Sequence, residues 1–278
     1  MNPWLERRPL LVAHRGGALE APENTVHAFR HGTACGAEML ELDVHATADG
    51  EIVVLHDQSL DRTTDGSGLV AHHDLAAVEA LDAAHWFVPG CGAMRGADHY
   101  PLRGIAGSDR SPLAGLEPAE LRVPTLATVL QTFPDTWITM ELKVAGLGPR
   151  VAALLDAHGR ADDVIVGGFD LERLTSFRET APHVATSASE EEAAAFWSWA
   201  HGHGPAPTPA YRALQVPQTY EGVDVVTPTF VERAHELGIP VHVWTVDDVE
   251  DLHRLVDLGV DGIMTDRPGL LGPLHQAQ

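Results

Sequence analysis

The sequence predicts an α/β fold, a (β/α)8 barrel of the TIM type, and three observations carry that expectation. Short apolar runs alternate with amphipathic stretches of helical period along most of the chain. Nine strand-like runs are present, one more than such a barrel holds, but "HATADGEIVVLHD" contains Asp49-Gly50, the strongest short hairpin signal. Reading 44–56 as a hairpin that rises above the rim leaves eight parallel strands. Equal numbers of residues separate Asp43 and His56 from that turn, so the hairpin is expected to set them opposite each other.

In chain order, the first strand is 9–14 (PLLVAH), apolar until it ends on a polar cluster. Next comes 38–45 (EMLELDVH), which alternates apolar and acidic residues, and then 51–56 (EIVVLH), the return arm of the hairpin. The run 137–143 (WITMELK) alternates again, while 164–169 (VIVGGF) and 184–187 (VATS) are short apolar runs. The last three strands are 223–227 (VDVVT), 240–246 (PVHVWTV) and 260–265 (VDGIMT). Helices are expected at 24–35, 125–133, 149–158, 171–180, 189–200, 229–237 and 247–258. Asn24 reads as the cap of the first helix, Asp247 and Asp248 as the start of the last, and Gly238 and Gly259 as helix-ending glycines. Between 57 and 124 periodicity is weak and "TTDGSG" and "VPGCGAMRGADHYPLRGIAGSDRSP" read as long loops, which are usually functional or disordered. The organisation expected is one catalytic barrel domain over 1–278, with an inserted loop or subdomain at about 57–124. The Gly/Pro-rich 201–210 reads as a surface crossover.

Composition narrows the function. With 278 residues, 44% of them hydrophobic, the chain has material for a large core. A formal charge of −22 supplies no basic footprint for nucleic acid or anionic membranes. An anionic substrate must therefore find a locally positive spot. Cys35 and Cys91 are too few and too far apart for a disulfide framework or a structural zinc site. No apolar run approaches the roughly 18 residues of a membrane span, and "MNPWLERRPL" lacks the apolar core of a secretory signal. A cytoplasmic location is expected.

Strand alternation sorts the polar residues. Leu40, Leu42 and Val44 share one face and Glu41 and Asp43 the other; Ile138, Met140 and Leu142 share one face and Thr139, Glu141 and Lys143 the other. Helices cover the outside of a barrel, so the carboxylates point inward, towards the C-terminal mouth where such barrels keep their active sites. Three inward carboxylates repel one another, which raises their pKa values or demands a cation. All-oxygen donors select one hard divalent ion, Mg²⁺ or Ca²⁺, with Mn²⁺ also acceptable. The competing arrangement pairs one carboxylate with Lys143 and leaves the others solvated at the rim. His14 and His56 converge on the same mouth, as an acid and base pair would, and Arg15 and Lys143 supply donors for an oxyanion such as phosphate.

"HRGG…PENT", "ELDVHATADGEIVVLHDQSLDRTTDGSG", "MELK", "HVWTVD" and "GVDGIMTDRP" together resemble the glycerophosphodiester phosphodiesterase family, in order, from about residue 10 to 270. The resemblance implies a phospholipase C-like phosphodiesterase barrel that hydrolyses glycerophosphodiesters with a divalent metal, giving glycerol 3-phosphate and an alcohol. It implies His14 and His56 as the catalytic histidines and Glu41, Asp43 and Glu141 as metal ligands. Arg15 and Lys143 become the phosphate contacts, and Trp244 the aromatic at the mouth. The substrate is then a small molecule, reached by water or by its own glycerol 2-hydroxyl through a cyclic phosphate. Its alcohol is expected to meet Trp244 and the 57–124 insertion. Gly16 and Gly17 would let the chain approach the ligand, and Glu23 would serve the metal or the loop.

Other readings stay open: a lysophospholipase D or sphingomyelinase D-like lipid phosphodiesterase, a phosphate- or metal-binding barrel without turnover, and a metal-dependent sugar-phosphate barrel enzyme. Stable membrane insertion is not expected, and the oligomeric state is not legible. His27 and His31 have ligand spacing on the first helix but no third ligand on that face. His72-His73 and His201/His203 read as solubilising loop residues, and His242 as a supporting residue inside the barrel. Thr265-Asp266 reads as a helix cap, and Phe196, Trp197 and Trp199 as core or an oligomer contact.

Overall fold

Four alternating strands begin the ring: Leu10–Ala13, Met39–Ala46, Trp137–Leu142 and Val164–Gly167. Ala185–Thr186, Leu214–Pro217, Val241–Trp244 and Gly262–Thr265 complete it. In the computed structural model, which describes residues 2–5, 9–109 and 114–271, neighbouring strands are parallel throughout. The ring closes between the fifth and sixth strands through a bridge from Ser187 to Ala213. There Arg212 N–H donates to Thr186 O at 2.8 Å and Ala188 N–H to Ala213 O at 2.9 Å. The expected eight-stranded barrel is the fold observed.

Alternation sets two cores. Outward residues of the strands, among them Leu40, Leu42, Val44, Ile138, Met140 and Leu142, pack under the helices in one continuous cluster. Inward residues Leu10, Val12, Met39, Ile165 and Met264 fill the barrel, and Trp4 plugs its lower end, edge-on to Trp137 with ring centroids 4.6 Å apart. Above this apolar floor lies a polar layer. Gln215 Nε2 donates to Thr139 Oγ1 at 3.1 Å and to His242 Nδ1 at 3.3 Å. Gly262 makes the room, because a Cβ there would lie 2.6 Å from the His242 ring.

The helices start where their caps sit. Thr25, Thr125, Asp170, Ser189, Thr227 and Asp248 each accept a backbone N–H from the first turn of the adjoining helix, worth about 1 kcal/mol apiece. The first helix is Val26–Ala34, so its cap is Thr25 and not Asn24. Among the described residues, no helix is long and apolar enough to cross a membrane.

Two strand expectations are corrected. The run 223–227 does not enter the barrel: Val223–Asp224 pairs antiparallel with Thr219–Tyr220, and the ring position belongs to Leu214–Pro217. That strand is short and carries Gln215 inward for the polar layer, so it lacks the apolar run that marks a strand in sequence. The hairpin exists, with Met39–Ala46 antiparallel to Ile52–Val54, but Leu55 and not His56 stands opposite Asp43, its N–H donating to Asp43 O at 3.0 Å. The turn has three loop residues, closed by Thr47 N–H to Glu51 O at 3.0 Å, with Gly50 at φ +81°. A count that assumes two loop residues is therefore off by one.

The segment 57–124, whose residues 110–113 lie outside the described set, is built on two small apolar clusters of its own. Val53, Leu55, Leu60, Val70, Val78, Ala83 and Val123 form one. Ala84, Phe87, Leu102, Ile105, Ala106, Leu116 and Leu121 form the other.

The His242 ring is fully buried, its Nε2 has no partner, and burial pushes its pKa down to about 4. Between pH 6.5 and 4 the unfolded chain takes up a proton that the folded chain refuses, so this residue subtracts stability as pH falls through that window. From pH 7 to pH 5 that subtraction is about 2 kcal/mol. His242→Gln should lose correspondingly less stability over the same interval, as measured by urea unfolding at both pH values.

Candidate active site

The second and third strands run side by side in a register that sets Glu41 beside Thr139 and Asp43 beside Glu141. All three carboxylates therefore point inward at the C-terminal mouth, where Asp43 is 1% exposed. Each meets compensating donors. Asp43 accepts from Asn24 Nδ2 at 2.9 Å and lies 3.0 Å from Lys143 Nζ and 3.3 Å from Arg15 Nε. Glu141 pairs with Lys143 Nζ at 2.6 Å. Glu41 Oε2 accepts the Arg15 backbone N–H at 2.9 Å and stands 3.7 Å from His14 Nε2. Burial opposes the Asp43 charge, but Arg15 and Lys143 outweigh it and hold its pKa below the ordinary carboxylate range. Glu41 is less well compensated, and burial together with Asp43 pushes it up to about 7.

His14 closes the first strand in a short turn that puts Arg15 in the left-handed region at φ 52°, ψ 26°. Gly16 and Gly17 permit that turn by packing against protein. A Cβ on Gly16 would lie 2.6 Å from the Ala28 carbonyl carbon, and one on Gly17 2.6 Å from the Pro268 ring. Both glycines thus make close approaches within the protein, to the first helix and to Pro268.

Both histidines are backed by a carboxylate. His14 Nδ1 lies 2.7 Å from Asp266 Oδ1, and His56 Nδ1 2.6 Å from Asp57 Oδ1. An ionised carboxylate only accepts, so each Nδ1 carries a proton and each Nε2 is left for the cavity. For His14, burial disfavours the imidazolium, but Glu41 and Asp266 outweigh it and the pKa is raised. His56 and Arg62 hold Asp57 well below the usual carboxylate range. Arg62 clamps two acids at once: Nη1 and Nη2 donate to Glu23 at 2.6 and 2.8 Å, and Nε donates to Asp57 at 2.7 Å. Glu23 also accepts from Arg15 Nη1 at 3.2 Å. A chain of charge pairs thus runs from Arg15 to His56 through Glu23, Arg62 and Asp57.

Sequence reading missed these supports. Asp266, read as a cap, continues the inward alternation Gly262, Met264, Asp266 and lands beside His14; period 2 alone would have found it. Asn24, read as a cap, holds Asp43. Asp57 and Arg62 lie in "LHDQSLDRTTDGSG" but were given no role; Asp57 meets its neighbours His56 and Arg62, whereas the Arg62 pair with Glu23 spans 39 residues and has no local signal.

The mouth opens into a cavity of about 520 Å³ lined by His14, Arg15, Glu41, His56, Glu141, Lys143 and Trp244 on its reactive side. Its other wall is apolar, from Phe169, Ala193, Trp197, Tyr220, Val223 and Val225. Among the described residues, none from 57–124 lines it, so the insertion reaches the site only through Asp57 and Arg62. Trp197, expected as core or an oligomer contact, faces this cavity.

Two carboxylate-backed imidazoles beside Arg15, Lys143 and three carboxylates at the mouth of a barrel form a site equipped for acid–base chemistry. The glycerophosphoryl diester phosphodiesterase family profile matches residues 14–270, and the chain belongs to that family. It is 33% identical to a glycerophosphodiester phosphodiesterase of Bacillus subtilis (strain 168), over 95% of this chain and 85% of that one. The crystal structure of a glycerophosphodiester phosphodiesterase from Agrobacterium tumefaciens superposes with a TM-score of 0.73 at 26% identity, covering 95% of this chain and 99% of that one. A phosphodiesterase of Oleispira antarctica, solved with its product sn-glycerol-3-phosphate, shares the fold with a TM-score of 0.69 at 23% identity, over 97% of each chain.

Arg62→Met would leave buried Glu23 with Arg15 alone and Asp57 with His56 alone. Because the Arg62 side chain is itself about a third exposed, the expected loss of stability is only about 1–2 kcal/mol. Turnover should fall by about tenfold or more through misplaced Arg15 and His56, with partial recovery in Arg62→Lys; thermal unfolding and steady-state kinetics check both.

Proposed function

We propose that the chain works as a single catalytic barrel domain with 57–124 as an insertion, and that His14 and His56 act as its acid and base pair. The observation that carries the reading is that both imidazoles border one cavity with Nδ1 tied to a carboxylate and Nε2 free for proton exchange. Arg15 and Lys143 bind the phosphate, and Trp244 borders the alcohol side, where it can stack on a quaternary ammonium.

Glu41, Asp43 and Glu141 suit one divalent cation, Mg²⁺ or Ca²⁺ with Mn²⁺ acceptable, by donor type and by charge. An acid pushed up to about 7 by burial and a neighbouring acid is a site short of positive charge. Among the described residues these three are not a group whose donor atoms all lie within 4.8 Å of one another; Lys143 Nζ sits between Asp43 and Glu141, 3.0 and 2.6 Å from their oxygens. Bound there, the cation polarises a phosphoryl oxygen.

One histidine takes the proton of the nucleophile and the other returns one to the leaving alcohol. The glycerol 2-hydroxyl serves as that nucleophile, and water then opens the cyclic phosphate. The products are glycerol 3-phosphate and an alcohol such as choline, ethanolamine, inositol or glycerol. A cytoplasmic setting suits two unpaired cysteines.

A second reading, lysophospholipase D activity, rests on the apolar wall. Phe169, Tyr220 and Val223 are each about half exposed (51%, 52% and 48%) and line the same cavity, so an acyl chain has a surface to lie on.

Metal-stripped protein, assayed for glycerol 3-phosphate release from glycerophosphocholine, should be inactive in EDTA and recover with Mg²⁺, Ca²⁺ or Mn²⁺. His14→Ala and His56→Asn should each lose about 10²-fold or more; near-normal turnover in either removes that residue from the chemistry. A 2-deoxy substrate analogue should resist hydrolysis, whereas its turnover would show direct attack by water. Ala193→Trp should suppress release from lysophosphatidylcholine more than from glycerophosphocholine, and equal effects would discard the acyl-chain reading.

A further inference from the structure

On the far side of the Gly16–Gly17 turn, the first helix carries His31 and Cys35 four residues apart on one face. The loop before the helix brings Glu20 to the same spot. His31 Nε2 lies 2.8 Å from Glu20 Oε2 and 3.7 Å from Cys35 Sγ. Among the described residues, this is the one group of three His, Cys, Asp or Glu side chains whose donor atoms all lie within 4.8 Å of one another. The third ligand that the helix face lacks in sequence is thus supplied by a loop, and Cys35 extends the spacing of His27 and His31 by one more turn.

The distances fit one ion. A tetrahedral zinc site with Zn–S near 2.3 Å and Zn–N near 2.0 Å sets its sulfur and nitrogen ligands about 3.5 Å apart, close to the 3.7 Å between Cys35 Sγ and His31 Nε2. Glu20 needs to withdraw by about 0.5 Å, exchanging its hydrogen bond for a metal bond. Thiolate, imidazole and carboxylate together favour a thiophilic ion over Mg²⁺ or Ca²⁺, the reverse of the all-oxygen set at the mouth. His31 and Glu20 side chains are 34% and 28% exposed, so an ion enters from solvent without opening the barrel.

We propose that Glu20, His31 and Cys35 form a second cation site, separate from the barrel mouth, that takes one Zn²⁺-class ion with its fourth position open to water. Binding releases the Cys35 thiol proton to solvent and moves the His31 ring proton from Nε2, where it now faces Glu20, to Nδ1, so that the Nε2 lone pair is free for the ion. The ion acts as a staple. Glu20 Oε2 also accepts the Gly269 N–H at 2.9 Å, so the site ties the first helix to the short turn Pro268–Leu271 that follows the last strand. It also fixes the loop that continues to Glu23 and Asn24, the residues that hold Arg15 and Asp43.

Cobalt distinguishes this site from the mouth, because a thiolate ligand gives Co²⁺ an intense near-ultraviolet charge-transfer band that oxygen ligands do not. Co²⁺ is titrated into the full chain carrying Cys91→Ser, which removes the exposed second thiol. The expected result is the band at one equivalent per chain, displaced by Zn²⁺, absent in Cys35→Ser and present in Glu41→Gln. His31→Ala and Glu20→Gln should each weaken it by more than the roughly 10–100-fold that loss of a supporting hydrogen bond costs, with thermal unfolding confirming that the variants are folded. No band in the Cys91→Ser protein, a band that survives Cys35→Ser, or unchanged affinity in both His31→Ala and Glu20→Gln overturns the site.

Discussion

Buried negative charge at the barrel mouth is the constraint on which the rest of this molecule depends. Parallel pairing of Met39–Ala46 with Trp137–Leu142 places Asp43 beside Glu141, and period 2 adds Glu41 on the same side. Charges so buried survive only with donors at contact distance, and each neighbouring segment supplies one: Arg15 from the first turn, Asn24 from the loop after it, Lys143 from the end of the third strand. Removing one partner of such a pair leaves an uncompensated buried charge, a loss of about 3–5 kcal/mol in comparable sites. The left-handed Arg15 and the two glycines behind it are consequences, since only that turn aims both the backbone N–H and the guanidinium at the acids.

Charge also explains how the insertion takes part without touching the cavity. Arg62 spans Glu23 and Asp57, so Arg15 and the His56 imidazole are held by one connected set of ion pairs. The small apolar clusters of 57–124 then have a purpose: they fix the backbone that presents Asp57 and Arg62. In a chain of net charge −22, Arg15, Lys143 and Arg62 at this mouth are each already paired with carboxylates, so the acids there outnumber the cations.

The two halves of the ring divide the work. Most of the ionisable groups come from the first three strands and the segments that follow them, with Asp266 from the end of the last, whereas Phe169, Ala193, Trp197, Tyr220, Val223 and Val225, all from later segments, form the apolar wall. Between them and the apolar floor sits the Gln215, Thr139 and His242 layer, which links strands on opposite sides of the barrel by hydrogen bonds. The ionisable side and the apolar wall thus rest on different segments, as in barrels whose mouth is built from many loops.

Local periodicity and motifs are the features that the sequence by itself determined. Alternation in "EMLELDVH" and "WITMELK" was enough to turn Glu41, Asp43, Glu141 and Lys143 inward, and apolar runs between helices were enough for the barrel. The same rule could have yielded Asp266. Local reading failed where a local signal was weak or ambiguous: Leu214–Pro217 is short and contains a glutamine, and one extra loop residue moved the hairpin register. Tertiary structure alone decided which partners the charged groups found. Asp57 with Arg62 and Glu23, Asn24 with Asp43, Trp197 with the cavity, and Glu20 with His31 and Cys35 are all such cases. The physical reason is that a side chain's direction is set within a few residues of backbone, whereas the group it meets is set by the closure of the whole ring.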